Sequence, residues 1–412
     1  MTAGPCRSCG AELEHTFCDL GMSPLSNAFL SAGQLQQMEP FYPLHAYVCG
    51  SCFLVQLQEF ESPQHIFAED YAYFSSYSET WLDHARDYTE QMVRRFGYGT
   101  GSRVIEIASN DGYLLQYFKQ KNIPVLGIEP AANCARVAQE AGIPTLVKFF
   151  DTNLARELRA EGQGADLLLG NNVLAHVPSL NDFVGGLKIL LEPRGVITME
   201  FPHLLRLMRE NQFDTIYHEH FSYFSLYSVE RVFTRHGLKL FDVEELPTHG
   251  GSLRIYAAHP EDGTKAESER VQALRDEEGR FGVADRRTYV DFTERVKRTK
   301  RKLLEFLVKA KAEGKTIVGY GAPAKGNTLL NYCGVRTDFI DYTVDRSPYK
   351  QGKFLPGTHI PIFHPDRIRE TRPDYILVLP WNIKDEVLSQ MAHVREWGAK
   401  FVIPIPEVQV LA

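Results

Sequence analysis

This 412-residue chain has no run of about eighteen apolar residues, so no membrane-spanning helix and no membrane partner are expected. Its first residues, MTAGPCRSCG, lack the apolar segment of a signal peptide, so a cytoplasmic location is expected. The seven cysteines are therefore expected to be reduced rather than paired as disulfides. There is no excess of basic charge: 45 Lys and Arg stand against 52 Asp and Glu, a net charge of -7, which argues against a nucleic-acid partner. Neither HExxH nor a complete GxGxxG occurs, so the zincin helix and the dinucleotide fingerprint are both missing. What remains, with 44% hydrophobic residues, is too apolar for disorder and long enough for two or three domains with their own cores.

Two CxxC knuckles stand near the start, Cys6-Arg7-Ser8-Cys9 and Cys49-Gly50-Ser51-Cys52. Four thiolates paired in this way suit tetrahedral zinc, and a shell closed by four protein ligands makes the metal structural. The stretch between the pairs exceeds ribbon spacing, so an insertion must loop out. Cys18, Cys134 and Cys333 have no partners at metal spacing and read as packing residues.

A helix is expected from Thr80 to Phe96. After it, SRVIEIASNDGYLLQYFKQKNIPVLGIEPAANCARVAQEAG alternates strand and helix, the pattern of a βαβ unit in a parallel sheet. The turn after the first strand, Ala108-Ser109-Asn110-Asp111-Gly112, has one glycine where a pyrophosphate site has three, and acids at Glu106 and Asp111. Carboxylates suit a ligand carrying an ammonium and a sulfonium, and S-adenosylmethionine (SAM) has both and no phosphate. Glu129, before Pro130, ends the next strand, where a carboxylate accepts ribose hydroxyls. A fourth strand ends in Asn171-Asn172 and leads to His176, and a fifth is Gly195–Pro202. Residues expected around SAM are Glu106, Ala108, Asn110, Asp111, Gly112, Glu129, Pro130, Asn171 and Asn172. A nucleotide-binding-like fold with an incidental acidic loop is the alternative.

After the fifth strand comes DTIYHEHFSYFS. Tyr217, His218, Glu219 and His220 put four ionisable or hydrogen-bonding side chains in a row, among aromatics able to exclude water, and two His with one Glu in reach of each other are what proton abstraction from a carbon acid needs. Its position puts it on the ligand face of the sheet, although a run of histidines also occurs in plain exposed loops. His176 is either catalytic or a structural hydrogen bonder. Residues 265 to 313 are charged with helical spacing and read as solvated helices marking a boundary. Beyond them, TIVGYGAPAKGNTLLNYCG gives a strand, a glycine-rich turn with Lys325, and a helix. Two readings stand: an anion cradle for the diphosphate of a nucleotide-linked substrate, or a structural turn at a tight junction. Likewise His249-Gly250-Gly251-Ser252-Leu253-Arg254 either lines a substrate pocket or turns the chain into the strand LRIYAA.

The ordered set CxxC…CxxC, VIEIASNDGYLL, NNVLAHV, YHEHFSYFS, HGGSLR and GYGAPAKGN resembles the SAM-dependent sugar C-methyltransferases of antibiotic deoxysugar pathways, the mycarose and tetronitrose C-3 methyltransferases among them. The resemblance covers nearly the whole chain. It implies a zinc-binding module at 1–70, a class I SAM methyltransferase (Rossmann-like) domain at 71–264, and a second Rossmann-like α/β domain at 265–412 that helps bind a dTDP-4-keto deoxysugar. It implies His220 as the base, with Tyr217, Glu219 and His176 around the sugar. It also brings a tyrosine of YAYFSSYS to the sugar, matched to Tyr71 with Tyr73 and Tyr77 as rivals. His249, Tyr320, Lys325, Asn327 and Arg346 are the further expected substrate contacts. In the implied reaction His220 removes the C3 proton, and His176 or Tyr217 hydrogen-bonds the enolate oxygen. Glu219 orients an imidazole or binds a substituent on C3. A monomer is expected. Methylation of an oxygen or nitrogen of a nucleotide sugar is the alternative.

Overall fold

The structure is a computed structural model that describes residues 4–62 and 74–412. Three sheets organise it. The N-terminal sheet has strands β1 (His15–Ser23), β2 (Tyr42–Val48) and β3 (Val55–Leu57), all antiparallel, and ends in β9 (Ser222–Tyr223), which comes from far along the chain. Below it the two knuckles meet. The four Sγ atoms of Cys6, Cys9, Cys49 and Cys52 all lie within 4.8 Å of one another, and Cys6–Cys52 and Cys9–Cys49 are 3.6 and 3.5 Å apart. Four sulfurs at tetrahedral zinc distance are about 3.8 Å apart, so the thiols already stand nearly where the ion needs them. Gln56 donates to Cys6 Sγ at 3.1 Å and the Ser51 amide to Cys49 Sγ at 3.4 Å, donors that suit thiolates rather than a disulfide. The module binds structural zinc.

The central sheet contains β4 (Val104–Ile107), β5 (Val125–Ile128), β6 (Thr145–Leu146), β7 (Ala165–Asn171), β8 (Leu191–Pro202), β10 (Lys239–Leu246) and β11 (Ser252–Ala258), in the order β10-β11-β8-β7-β4-β5-β6. β11 alone among these runs against its neighbours. β4 and β7 are buried along almost their whole length, as strands covered by helices on both faces must be. The order reverses at β4, which puts the ligand crevice of an open α/β sheet at the Ala108–Gly112 turn.

The C-terminal sheet repeats this design. Its strands are β12 (Ile317–Tyr320), β13 (Thr343–Val344), β14 (Ile362–Phe363), β15 (Tyr375–Val378), β16 (Lys400–Ile403) and β17 (Gln409–Leu411), in the order β14-β13-β12-β15-β16-β17. The first five are parallel and β17 is antiparallel. Here the order reverses at β12, immediately before Gly321 and Lys325.

The helix expected at Thr80 spans Glu79–Phe96, capped by the Ser78 side chain and ended by left-handed Gly97. The charged stretch after residue 265 forms the helices Glu269–Phe281 and Arg286–Ala312, and it does more than mark a boundary. The longer helix buries Tyr289, Phe292, Val296, Leu303 and Leu307, and Phe292 stacks on Phe17 of β1 at 4.6 Å. The zinc module is thus packed against the C-terminal half of the chain. No helix among the described residues is long and apolar enough to cross a membrane.

Because thiolates close together repel without the ion, chelation of zinc should open the 4–62 module. Limited proteolysis should then cut within it in the chelated protein but not in the zinc-loaded protein.

Candidate active site

At the β4 crevice the chain takes an unusual path. Ala108 (φ 56), Asn110 (φ 49) and Gly112 (φ 79) are left-handed, alternating with Ser109 and Asp111. A non-glycine residue there costs about 1–2 kcal/mol, so the turn is held by its bonds rather than by local preference. The Asn110 and Ala131 amides both donate to the Glu129 carboxylate, at 2.9 and 2.8 Å. A carboxylate therefore takes an amide that a pyrophosphate would need. Burial raises the Glu129 carboxyl to about 7, against the pull of those amides. Burial also pushes Glu106, at the end of β4, well above the carboxylate range, with the Tyr113 hydroxyl acting in the opposite sense. Asp111 Oδ1, Asn171 Oδ1 and Asn172 Oδ1 are buried acceptors without a protein partner. Acceptors gathered in this way call for a ligand rich in donors, and SAM brings an ammonium and ribose hydroxyls. The residues present fit it.

The same turn holds the chain before the first long helix. The Ser75 amide donates to Asn110 Oδ1 at 2.9 Å and the Ser76 amide to Asp111 Oδ2 at 3.1 Å. Tyr77, in this segment, is exposed and stacks with Tyr349 of the loop after β13. Tyr71 and Tyr73 lie outside the described residues.

Three of the four residues in the cluster Tyr217–His220 are buried, His218, Glu219 and His220 each under one-tenth exposed, and Tyr217 is half-buried. His220 Nδ1 lies 3.0 Å from the Thr215 carbonyl oxygen. A carbonyl only accepts, so Nδ1 carries the proton and Nε2 keeps a free lone pair. The His220 ring lies 4.0 Å from that of Tyr217 and 4.7 Å from that of His176. Burial, with the nearby His176, pushes His220 well below the ordinary imidazole range. His176 is lowered by burial to about 4, although the Glu219 carbonyl holds its proton. Glu219 accepts from Asn27 Nδ2 of the zinc module at 2.7 Å, and burial raises it to about 7. His218 turns the other way, towards the Pro43 carbonyl and the rings of Tyr42 and Phe60.

His249 joins this group. Its Nε2 is 3.0 Å from Asn172 Nδ2, and Trp81 packs on its ring. The HGGSLR segment is a glycine turn into β11, and it sets His249 against Asn172 and Trp81. At Gly250 (φ 94) an added Cβ would lie 2.8 Å from the Trp381 ring, so only glycine fits. Beneath the turn, Glu200 accepts from Thr248 (2.9 Å), Arg254 (2.7 Å) and His84 (2.9 Å). Burial works to raise the Glu200 carboxyl, but Arg254 and His84 overcome it and hold it at about 2.

The C-terminal sheet faces the same cleft. Lys325 Nζ donates to Asn382 Oδ1 at 2.9 Å and lies 4.6 Å above the Trp381 ring, and the Trp381 indole donates to buried Asp214 at 2.7 Å. Asn327 donates to the Ser26 carbonyl, Tyr320 to Gln390, and exposed Arg346 pairs loosely with Glu386 at 3.8 Å. The glycines of the turn each have a packing reason: an added Cβ would meet Thr343 at Gly319, Pro380 at Gly321 and Leu379 at Gly326.

Residues 6–67 match the family model "Putative zinc binding domain", 81–243 "Methyltransferase domain", and 247–406 "C-methyltransferase C-terminal domain". The chain is 36% identical over 407 residues, 99% of its length and 96% of the relative's, to C-methyltransferase NovU of Streptomyces niveus. It belongs to the C-methyltransferase family. This C-methyltransferase is a SAM-dependent enzyme. Solved structures overlap it more loosely. Magnesium protoporphyrin IX methyltransferase from Synechocystis PCC 6803 with bound SAH is 14% identical at TM-score 0.35, over 43% of this chain and 83% of that one. The same protein with bound SAM gives TM-score 0.34, over 48% and 88%.

Asn27, Asp214, Thr215, Trp381 and Asn382 escape sequence reasoning, because nothing local marks a residue that acts by reaching another module. Two of the three tryptophans of the C-methyltransferase, Trp81 and Trp381, sit at this cleft, and that scarcity was the one available signal.

Glu129→Gln would set an amide donor against the two amides that now donate to the carboxylate. A charged hydrogen bond contributes about 1.5–3 kcal/mol, so SAM binding should weaken by at least about tenfold, read by titration calorimetry.

Proposed function

We propose that the enzyme methylates C3 of a dTDP-linked 4-keto deoxysugar, as a step in branched deoxysugar biosynthesis, by deprotonating C3 to an enolate. The observation that carries this reading is the bond from His220 Nδ1 to the Thr215 carbonyl. It leaves Nε2 as a base, and burial keeps the ring neutral. A family that methylates carbon needs such a base, because carbon becomes a nucleophile only after losing a proton, and a neighbouring ketone makes that loss feasible.

His220 Nε2 takes the C3 proton. Tyr217 and His176 flank its ring and restrict its orientation. Glu219, fixed by Asn27, stands beside the base to bind the substituent on C3. The aromatic surroundings of Tyr217 and Tyr223 limit how much water reaches the base. Bound SAM supplies an electrophilic methyl group, which the C3 carbon takes. The turns at β4 and β12 each stand at the switch point of an open α/β sheet, which suits two ligands that each carry a nucleoside.

Incubating the enzyme in deuterated water with labelled SAM and a panel of dTDP-4-keto deoxysugars tests the reading. We expect label on a quaternary C3, and C3 deuterium exchange without SAM. A product methyl on oxygen or nitrogen would reject it. His220→Asn should lower exchange and turnover by about 10²–10⁴-fold while SAM still binds.

A base with a lowered pKa stays deprotonated further into acid. Exchange by the wild type should therefore persist as the pH falls through about 6.5 and fail only below it. A rate already halved at that pH would mean an ordinary imidazole.

A further inference from the structure

The reaction puts a negative charge on the sugar's C4 oxygen, and the histidines around His220 are poorly suited to hold it. His176 and His249 are each lowered to about 4, chiefly by burial, and are neutral at physiological pH. Of the groups whose charge bears on His220, namely His176, His249 and Lys325, the lysine is by far the strongest base; burial lowers it too, and nearby Asp214 acts to keep its charge. Lys325 lies deep in the protein and is half-buried rather than sealed off.

Several contacts fix where its ammonium stands. The helix it opens, Ala324–Cys333, packs on the turn Phe213–Thr215 and bonds to it directly, Thr328 Oγ1 donating to the Ile216 carbonyl at 3.0 Å. That turn supplies the carbonyl that orients His220. Trp381, under the ammonium, touches the Gly250 turn beside His249. Of its three N–H donors, Lys325 gives one to Asn382, which leaves two for a ligand. The glycine turn itself is not a free anion cradle. Its Ala322 amide donates to the Asp345 carboxylate at 2.7 Å, and Lys350 bonds the Ala322 carbonyl at 2.9 Å.

We infer that Lys325 donates a hydrogen bond to the C4 oxygen of the sugar and carries the charge of the enolate, rather than binding the diphosphate. This rests on the reading of the preceding subsection. When His220 Nε2 takes the C3 proton, the C3–H electron pair forms the C3–C4 double bond. The carbonyl π pair moves onto the C4 oxygen, opposite the ammonium. As the C3–methyl bond forms and the methyl–sulfur bond breaks, that pair returns and the ketone is restored. Lys325 keeps its proton throughout. Its positive charge also helps hold His220 neutral, so one cation serves both the base and the product of its action.

The test compares wild type, Lys325→Met and Lys325→Gln in two assays: C3 deuterium exchange of a dTDP-4-keto deoxysugar without SAM, and calorimetric binding of dTDP. Both variants should lose about 10²–10³-fold in exchange, as for removal of an oxyanion donor, and bind dTDP within about threefold of wild type. SAM binding and the melting temperature identify folded protein, and Lys325→Gln decides if the methionine variant misfolds. Exchange within about threefold of wild type would overturn the inference, and so would a loss of dTDP affinity parallel to the loss of exchange. If the wild type exchanges no keto sugar, the substrate reading itself fails, and this inference with it.

Discussion

Everything at the site depends on the pairing of β3 with β9. β9 is the continuation of the Tyr217–His220 run, two residues past His220, yet it is the outer strand of the zinc module's sheet. The Leu57 amide bonds the Phe221 carbonyl at 3.0 Å, while the Phe221 amide bonds the Ala175 carbonyl at 2.7 Å. The segment that carries His220 is therefore clamped between two modules along its backbone. Zinc enters here only indirectly. It fixes the knuckles that fix β3, and through Asn27 the same module fixes Glu219.

Burial gives this segment both its chemistry and its risk. A buried imidazole loses the hydration that stabilises its charged form, so His220, His176 and His249 are all pushed towards neutrality. Buried carboxyls move the other way, and Glu219 and Glu129 both reach about 7. One protein environment thus raises these two acids to about 7 and lowers the imidazoles until they are neutral at working pH. Each group still needs a hydrogen-bond partner, since an unpaired buried polar atom costs about 1–3 kcal/mol. The partners come from outside the segment: Asn27 from the zinc module and Trp381, for Asp214, from the C-terminal sheet.

How much of this was legible in the sequence depended on range. Local patterns were readable. The CxxC pairs, the βαβ alternation, the acidic first turn and the place of YHEH after the fifth strand of the central sheet each follow from residues close together in the chain. The charged 265–313 stretch was read only from its exposed face. Its buried stripe, which includes Phe292, has its partner Phe17 far back in the chain, and no window of sequence contains both. The glycine-rich turn stayed open between two readings for a related reason. Its glycines answer to Thr343, Pro380 and Leu379, three side chains brought in by other strands. Spacing alone cannot tell glycine that admits a ligand from glycine that admits a neighbouring side chain.

The two parallel sheets explain why such an enzyme needs two open α/β units. Each reverses its strand order once, at β4 and at β12, and each reversal makes one crevice at the carboxyl ends of its strands. One crevice can hold the methyl donor, but the substrate carbon of a C-methyltransferase must also be held and presented at close range. Those tasks need groups on the side opposite the donor. The loops after β12, β13 and β15 deliver Lys325, Tyr349 and Trp381 to that side, against the Gly250 turn, Tyr77 and Asp214 of the central unit. The buried Glu200–Arg254 pair then has a role beyond stability. Breaking such a pair costs about 3–5 kcal/mol, and Glu200 also holds Thr248 at the root of the Gly250 turn. The wall on which the second sheet closes is thus the part of the first that is hardest to deform.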